Sequence, residues 1–592
     1  MVSRVRLGAS IVLTLSVASL FFLLPGLLKE SAWALGRFSR AGVSSPGPVA
    51  GYDDRIESLL AAKMPDKSSL FVLRSDSSGM HAVDRARAQL AFWNRCPLPV
   101  RFGAVGEIGD AEAVLAADGG NVQPKWSKAG LNGDSFSKVG STGYRGLWIR
   151  KDVPTEMTGS RRSVGVFREA VGLIPVLIVM ALGLRIAGCA GSAVSLWLFS
   201  VLMSIPPIAG FPTSRGFVVF AVVVAMVVVF RFFRTIRPCT EQRNLAVGCL
   251  ALALFLFLSF LALSHLLLPP NGLAVVGGKA KLWYLAGGFP DGYFTDPAWR
   301  LAEPAYPPGP AAVVLSCFAF SGGCGDWLVQ LTGCVAMALT FASAAKDVED
   351  SSLRGWIVRF WLLSLFLHPL VLKMGSQLYP ESFMALCVVA GWRRIARSGS
   401  RDDFFGWFLL GSAGWFKTEG LVFAGVAWFA LVFAGGCHRK SSFLSLLAGI
   451  SLPVAWHVAV RLSGGSFNDF APLLHPDGFQ GWFAFVEAFR LSFCEPYHYA
   501  FVYPVGLLSA IAVFVPTLRR KLSGDHLRGI VAALFFSLLC TVCFSFIFSY
   551  SRAFDYDWHV STALPRLLWT PALVLGIVIS RSVLPRLTTP RD

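Results

Sequence analysis

Apolar runs near 20 residues long recur along most of this chain of 592 residues. A helix of about 20 residues is needed to cross the ~30 Å hydrocarbon core of a bilayer. Charged residues are 15% of the sequence and hydrophobic residues are 54%, whereas ordinary soluble domains carry about 25% charged residues. The sequence therefore predicts a polytopic all-α membrane protein and excludes a purely soluble or disordered chain.

The net charge of +18 lies in short Lys- and Arg-rich segments between the apolar runs, as the positive-inside rule predicts for cytoplasmic loops. No basic stretch is interleaved with aromatic residues like a nucleic-acid module, so the expected surroundings are membrane lipids and no nucleic-acid partner is predicted. Most of the twelve Cys lie inside apolar runs, where Cys is a small buried hydrophobe. Without a CxxC pair or a His-rich cluster, no metal site and no cofactor are predicted.

The N-terminal region holds one apolar run, at 8–27, behind the basic start MVSRVR. No clean small-x-small cleavage site follows, so residues 1–29 are predicted to be an uncleaved membrane anchor rather than a signal peptide. Residues 30–165 hold no span, and a helix-like segment at 79–95 among strand-like runs predicts a small extracytoplasmic α/β domain. The strand-like runs are 69–74, 99–105, 111–117 and 144–150, and the Gly-, Ser- and Asn-rich residues 119–142 are predicted to be loop.

Basic segments determine the predicted topology of the membrane helices. If every apolar run crossed the membrane, three basic segments would lie outside, at 392–401, 437–440 and 517–528. Removing one crossing before residue 378 corrects all three, and 310–321 is the weakest candidate because its helix rises only ~18 Å. We predict a partial or re-entrant helix there and about fourteen crossings in all. The protein is predicted to lie in the inner (plasma) membrane with both termini in the cytoplasm. The predicted crossings are 8–27, 168–186, 190–209, 215–233, 244–268, 327–345, 355–373, 378–394, 404–416, 420–436, 442–461, 499–517, 528–549 and 564–582.

The outer loop after residue 268 carries the first candidate binding residues. Lys279 and Lys281 suit an interfacial helix whose amino groups face lipid phosphates. Trp283 and Tyr284 would anchor that helix at headgroup depth. Tyr306 begins a Y-P-P sequence that stiffens the entry to the next helix, because Pro fixes φ and lacks a backbone N–H.

Two further outer segments carry charges beside apolar runs. The sequence WFKTEG at 415–420 puts Lys417 and Glu419 between short apolar runs, where charges are costly and pair or line a polar cavity. The sequence DWHVST at 557–562 precedes the last helix, and His559 and Arg566 are candidates to bind a phosphate there. The alternatives are a corner that reaches water in the first case and a solvated turn with a snorkelling Arg in the second.

In order and spacing, these segments resemble the GT-C membrane glycosyltransferases, in the bacterial branch related to protein O-mannosyltransferases and lipopolysaccharide-core glycosyltransferases. That branch shows an outer-loop W-D-A and K-A-K, then Y-P-P-L-x-P, K-N-E-G, and W-H-x-x-T/S-x-x-x-R-L. The resemblance covers about residues 244–592. It does not cover residues 30–165 or the membrane helices of 166–243. The matching residues are Lys279-Ala280-Lys281, Tyr306-Pro307-Pro308-Gly309-Pro310, Lys417-Thr418-Glu419-Gly420, Trp558-His559, Thr562 and Arg566-Leu567.

The resemblance implies transfer of a sugar from a polyprenyl-phosphate carrier to a glycolipid, polysaccharide or protein of the cell envelope, on the outer face of the membrane. It implies that Lys417 and Arg566, with His559 beside them, bind the carrier phosphate. Such charge-assisted hydrogen bonds strengthen as charge develops on the leaving group. The predicted substrate-binding residues are Lys279, Lys281, Tyr306, Lys417, Glu419, His559 and Arg566.

The family's acidic base is where this chain departs from the pattern. Counting back from the K-A-K sequence, the family's Asp falls on Asn271, which cannot take a proton, and Ala305 stands where the family has an acidic residue. Asp291, Asp296 and Glu303 remain in the loop as substitutes, although loop carboxylates are more often solvated than catalytic. The predicted catalytic residues are Asn271, Asp291 and Glu303.

Two other functions stay open from the sequence. Asn271 favours a catalytically silent relative that binds a lipid carrier or scaffolds an envelope assembly. A transporter or flippase is the third hypothesis, but the sequence shows neither an inverted repeat nor paired broken helices in matching halves.

Overall fold

The structure is a computed structural model, which describes most of the chain after residue 165 and five short strands before it. The described residues are 70–73, 100–103, 113–116, 136–142, 145–150, 166–234, 245–263, 271–325, 328–346, 348, 353–397, 403–434, 439–465, 482–495, 499, 501–514, 524–550 and 556–582.

The five strands form one mixed sheet in the order β2-β1-β3-β5-β4. Strand β1 pairs in parallel with β2 and β3, and β5 pairs in antiparallel with β3 and β4. Parallel strands need a crossover of a dozen or more residues, but the helix predicted at 79–95 lies outside the described residues, so the α/β fold stays a prediction. The strands are β1 (Leu70–Leu73), β2 (Val100–Gly103), β3 (Ala113–Ala116), β4 (Phe136–Thr142) and β5 (Arg145–Arg150).

Strand β4 corrects the prediction that 119–142 is all loop. It pairs with β5 from Phe136 opposite Arg150 to Thr142 opposite Arg145, with an irregularity between Lys138 and Gly140. Two residues join the strands, which is the commonest length for a hairpin loop. Cross-strand pairing here outweighs the Gly- and Ser-rich composition, because strand preference depends strongly on the partner.

The remaining described chain is a bundle of helices. Six helical segments are long and apolar enough to cross a bilayer within the described residues, and one bent pair would make a seventh. This agrees with a polytopic helical membrane protein, whereas the number of fourteen crossings stays a prediction. The helices are α1 (Val166–Ala209), α2 (Arg215–Arg234), α3 (Leu245–Leu263), α4 (Lys279–Ala286), α5 (Gly309–Ser321), α6 (Leu331–Ala345), α7 (Leu353–Phe366), α8 (Pro369–Ser376), α9 (Pro380–Arg397), α10 (Phe404–Ser412), α11 (Glu419–Phe433), α12 (Arg439–Leu462), α13 (Phe483–Phe489), α14 (Val502–Phe514), α15 (Gly524–Ser549) and α16 (Tyr556–Ser582).

Helix α1 reverses direction near its middle. The backbone angles of Ala187 and Gly188 are not helical. The Ser192 hydroxyl donates to the Met180 carbonyl at 2.7 Å, whereas these residues would be ~18 Å apart in a continuous helix. The two arms therefore form a hairpin, and its turn falls between the predicted crossings 168–186 and 190–209.

Helix α5 has the short length predicted at 310–321. It holds 13 residues, of which all but Phe320 are buried, and a helix of that length spans ~20 Å. It ends at Gly322, whose φ is 76°. Its short span fits a partial helix packed within the bundle.

The run predicted as one crossing at 355–373 is broken in the structure. Helices α7 and α8 meet at an angle of 70°. Pro369 starts α8, and the His368 side chain caps it by accepting from the Leu370 N–H at 3.2 Å. A Pro inside a continuous helix would remove one hydrogen bond and clash with the preceding turn, so the chain bends there instead. The bend leads the chain into the corner where α9 begins.

Candidate functional site

Helices α9 and α16 lie side by side in the same direction. At one end, Arg566 Nη1 lies 3.1 Å from Glu381 Oε1. At the other end, Arg581 Nη1 donates to the Ala396 carbonyl at 3.1 Å. Each helix advances fifteen residues between these contacts, or ~22 Å.

Helix α10 returns along α9 in the opposite direction. Asp403 caps α10 by accepting from the Phe405 N–H, and it pairs with Arg394 near the end of α9 at 2.7 Å. Fourteen residues later, a rise of ~21 Å, Lys417 meets Glu381 at the start of α9. This rise is shorter than the ~30 Å hydrocarbon core of a bilayer. If the Arg394 end of α9 lies at one membrane interface, the buried charges at the Glu381 end therefore lie inside the hydrocarbon core.

Four ionisable side chains, here named the four-charge cluster, meet at the shared end of these helices. Lys417 Nζ lies 3.2 Å from Glu381 Oε1 and 2.9 Å from Glu419 Oε1. Arg566 contacts the same Oε1 atom of Glu381. Glu381 is 1% exposed and Lys417 is 3% exposed. The corner therefore does not reach water, and the two cations share one carboxylate oxygen.

The local chain explains why carboxylates occupy these positions. Glu381 and Glu419 lie in the first turns of α9 and α11, where the positive end of the helix dipole favours an anion. Gly420 is required by close approach, because a Cβ there would lie 2.3 Å from the Ala413 carbonyl carbon. The tight turn it permits puts Lys417 and Glu419 on the same side of the corner.

Aromatic residues surround the Arg566 guanidinium. It lies over the Tyr379 ring at 5.0 Å from the ring centroid, within the range of a cation–π interaction. The Tyr306 phenol is within electrostatic range of the same guanidinium. On the adjoining turn of α16, the Tyr499 hydroxyl donates to the Pro565 carbonyl at 3.2 Å. These contacts hold the Arg566 side chain at the cluster.

The Y-P-P sequence packs directly on the WFKTEG corner. A Cβ on Gly309 would lie 2.6 Å from the Trp415 carbonyl oxygen and 3.0 Å from the Phe416 ring. Trp456 Nε1 also donates to the Ala305 carbonyl at 3.2 Å. Residues 305–309 therefore lie against the segment that carries Lys417.

The structure corrects the prediction that Lys279 and Trp283 face lipid at the membrane interface. Both are buried, at 0% and 1% exposed. Lys279 Nζ donates to the Glu303 carbonyl at 2.7 Å and to the Tyr306 carbonyl at 2.9 Å. Burial lowers the pKa of Lys279 to about 7, against the opposing effect of the Glu303 carboxylate. Lys279 therefore stabilises the loop through buried hydrogen bonds to two of its carbonyl groups. Lys281, two residues later, is half-buried.

The three ion pairs that define the four-charge cluster do not involve the predicted catalytic carboxylates of the loop. Asp291 and Asp296 are exposed, and the Asp291 carbonyl accepts from Trp299 Nε1 at 3.1 Å. Glu303 is half-buried with a φ of 48°, and its carboxylate lies near Lys279. Asn271 begins the π-helical turn Asn271–Gly278 before α4.

The side chains of Asn271 and His559 lie outside the described part of the chain, so their predicted roles stay predictions. Glu381 is the residue that the sequence analysis did not identify. It follows Tyr379-Pro380 at the start of an apolar helix, where a first-turn Glu is ordinary. A signal was present, because a lone acid at the outer end of a predicted crossing needs a cationic partner.

Comparisons with models of known protein families, with curated proteins and with solved structures find no match for this chain. The chemistry of the site therefore rests on its geometry. Two buried cations can bind an anionic group, and two buried carboxylates can accept protons or hydrogen bonds from hydroxyl groups.

Proposed function

We propose that this chain is a membrane glycosyltransferase that transfers a sugar from a polyprenyl-phosphate carrier to an acceptor of the cell envelope. The convergence of Lys417 and Arg566 on one buried carboxylate oxygen is the observation that carries the proposal. Their two positive charges suit the carrier phosphate, which is the leaving group of the reaction. Fixed donors aimed at developing charge in a water-poor site are a major source of catalysis.

The surroundings of the cluster support the same function. Tyr306 approaches Arg566, and the close packing of Gly309 on Trp415 brings the outer loop to the cluster. Sequence segments that are more than 250 residues apart, counting from Tyr306 to Arg566, thus supply one site. The acceptor would enter from the outer face, where the loop is predicted to lie, and the donor lipid from the bilayer.

A transfer assay tests the proposal with the full chain in membranes. Polyprenyl phosphates carrying a radiolabelled hexose or pentose are mixed with an envelope fraction, and release of polyprenyl phosphate is measured, since every acceptor gives that product. Lys417→Met and Arg566→Met should each lower the rate by about 10²–10³-fold, the usual cost of losing one such donor. Arg566→Lys should also be impaired, because the bidentate fork is lost.

Gly425→Ala is the matched control, because a Cβ at this α11 position meets nothing within 4 Å. Its rate should equal that of the parent. Lys417→Met and Arg566→Met variants that fold and keep the parent's rate would contradict the proposed site.

The second candidate function is a catalytically silent relative that binds the lipid carrier. Asn271 in the family's acidic position favours it, as do the exposed side chains of Asp291 and Asp296. A parent chain that binds polyprenyl phosphate but releases none in the assay, with release gained by Asn271→Asp, would select this candidate.

A further inference from the structure

The charges of the four-charge cluster cancel before any ligand enters. Lys417 and Arg566 contribute two positive charges, and Glu381 and Glu419 contribute two negative charges. Glu381 lies within 3.2 Å of both cations through the same Oε1 atom. An incoming phosphate would therefore add a net negative charge to a buried site, which is costly unless another charge changes.

Two carboxylate oxygens of the cluster point to a ligand that donates hydrogen bonds. Glu381 Oε2 and Glu419 Oε2 are buried, and neither has a hydrogen-bond partner among the residues that the structure describes. Buried carboxylate oxygens normally accept at least one hydrogen bond. An acceptor hydroxyl group, or a proton taken from it, would satisfy Glu381 Oε2.

We propose that Glu381 is the proton acceptor of this site: it yields Lys417 and Arg566 to the phosphate, stays ionised in the donor complex with raised proton affinity, and then takes the hydroxyl proton of the acceptor. The inference rests on the proposed function and supplies the base that Asn271 cannot be. A carboxylate that loses two cationic partners to an anion gains proton affinity, because the charges that favoured its ionised form are now neutralised. Ligand binding itself would thus turn a paired structural acid into a base.

The transfer step balances with Glu381 in this role. The acceptor oxygen attacks the anomeric carbon, and the bond from that carbon to the phosphate oxygen breaks. The electron pair of that bond leaves with the phosphate, whose added charge is held by Lys417 and Arg566. The acceptor's hydroxyl proton goes to Glu381 Oε2, so the summed charge of site and ligands does not change.

Glu381 fits this role better than the other carboxylates near the loop. Asp291 and Asp296 are exposed, and the Glu303 carboxylate lies near Lys279. Glu419 pairs with Lys417, but its side chain is 11% exposed against 1% for Glu381. The described charged and titratable groups near Glu381 are Lys417 and Glu419 at the α11 corner, Arg566 on α16, Tyr379 before α9, and Tyr306 beside Arg566.

Calorimetric titration of the purified full chain with dihexyl phosphate tests the exchange. This dialkyl phosphate carries one negative charge that does not titrate near neutral pH. Titration at one pH in two buffers of different ionisation enthalpy gives the number of protons taken up. A His559→Gln variant titrated in parallel with the parent shows how much of the proton uptake comes from the imidazole of α16.

Repeated at several pH values, the titration should give an uptake that rises from near zero at high pH, where the bound Glu381 stays ionised and can act as base, towards one proton per phosphate at low pH. Where uptake occurs, the affinity should fall as the pH rises, by up to about tenfold per pH unit. Glu381→Gln should bind about tenfold more tightly with no proton uptake, because a neutral amide no longer competes for the cations. Glu381→Asp should restore proton uptake. In the transfer assay, Glu381→Gln should be slower by about 10²–10⁴-fold. Tighter phosphate binding together with slower transfer is a result that a merely structural role of Glu381 would not produce.

Asp403→Asn is the matched control, because Asp403 pairs with an arginine of α9 at the opposite end of the helix. It should bind like the parent, with the same proton uptake. Binding by the parent without proton uptake at any of these pH values, or transfer by Glu381→Gln at the parent's rate, would overturn the role of Glu381 and leave the proposed function standing. No binding of dihexyl phosphate together with no transfer by the parent would overturn both.

Discussion

Buried charges at single residues define the candidate site of this protein. Lys417 is 3% exposed and Glu381 is 1% exposed, so each would be costly to hold without the other. Removing one partner of such a pair typically destabilises a protein by about 3–5 kcal/mol, because the remaining charge is left uncompensated. The cluster therefore ties α9, α11 and α16 together, and in the proposed function a ligand rearranges its charges.

At the residue scale, Lys279 predicts a pH dependence of stability. Its pKa is lowered to about 7 in the folded chain from an ordinary value of 10.5. Between these values the unfolded chain holds a proton that the folded chain has released, so the free energy of unfolding should rise with pH from about 7 towards 10. Thermal unfolding in detergent from pH 7 to 9 measures this slope.

The comparison variant is Lys279→Met, which removes the titrating group. Its slope over the same pH range should be smaller than the parent's, even though the variant loses two hydrogen bonds to carbonyls. Equal slopes in parent and variant would show that the Lys279 amine is not held in its neutral form by burial.

At the element scale, the end of the outer loop and the corner before α11 fit together by close backbone approach. Gly309 starts α5 against Trp415, and Gly420 lets α11 start against Ala413. Gly309 comes three residues after Tyr306, and Gly420 comes three residues after Lys417. Tyr306 and Lys417 are the candidate binding residues of these two segments. The packing of these two element ends therefore sets the distance between loop and cluster.

Gly309→Ala tests that packing. The new methyl group would lie 2.6 Å from the Trp415 carbonyl oxygen, and such overpacking costs about 1–3 kcal/mol. Thermal unfolding should show the loss, and polyprenyl-phosphate release should fall because Tyr306 moves away from Arg566. Gly425→Ala should be neutral or stabilising by up to ~1 kcal/mol, since Ala favours an exposed helix position over Gly. A Gly309→Ala chain as stable and active as the parent would contradict the close contact.

The sequence predicted those elements that follow from apolar run length and charge. It located the turn between the arms of α1 and the short helix α5, whereas the pairing of Lys417 with Arg566 at one site was implied by the family resemblance. It did not reveal the bend at Pro369, although that Pro is a local signal for it, or strand β4, whose formation depends on the opposite strand of the hairpin. It also did not reveal Glu381 as the shared partner, since a first-turn glutamate looks the same whether it caps a helix or neutralises two cations.

At the scale of the whole molecule, one end of the α9, α10 and α16 group is basic and the other holds the charge-balanced cluster. Arg394 and Arg581 mark the basic end. The positive-inside rule predicts that this end lies in the cytoplasm, which would put the cluster towards the outer face. Strand β2 lies beside the 3-10 helix Pro297–Ala302 of the outer loop, in keeping with a domain of residues 30–165 that rests over the site.

Cysteine accessibility tests this orientation. Single cysteines introduced within 392–401 and within 119–142 should react with a membrane-impermeant maleimide from opposite sides of the membrane. The parent chain, labelled in parallel, corrects for its own cysteines. Reaction of both positions from the outside would contradict the predicted topology.

A cryo-EM structure of the full chain with a non-hydrolysable polyprenyl-phosphate sugar tests most directly whether the four-charge cluster binds the carrier phosphate. The phosphate should lie within hydrogen-bond distance of Lys417 Nζ and the Arg566 guanidinium, with Glu381 displaced from at least one of them and its Oε2 facing the sugar. A phosphate bound elsewhere, with the ion pairs of Glu381 to Lys417 and Arg566 intact, would contradict this role of the cluster.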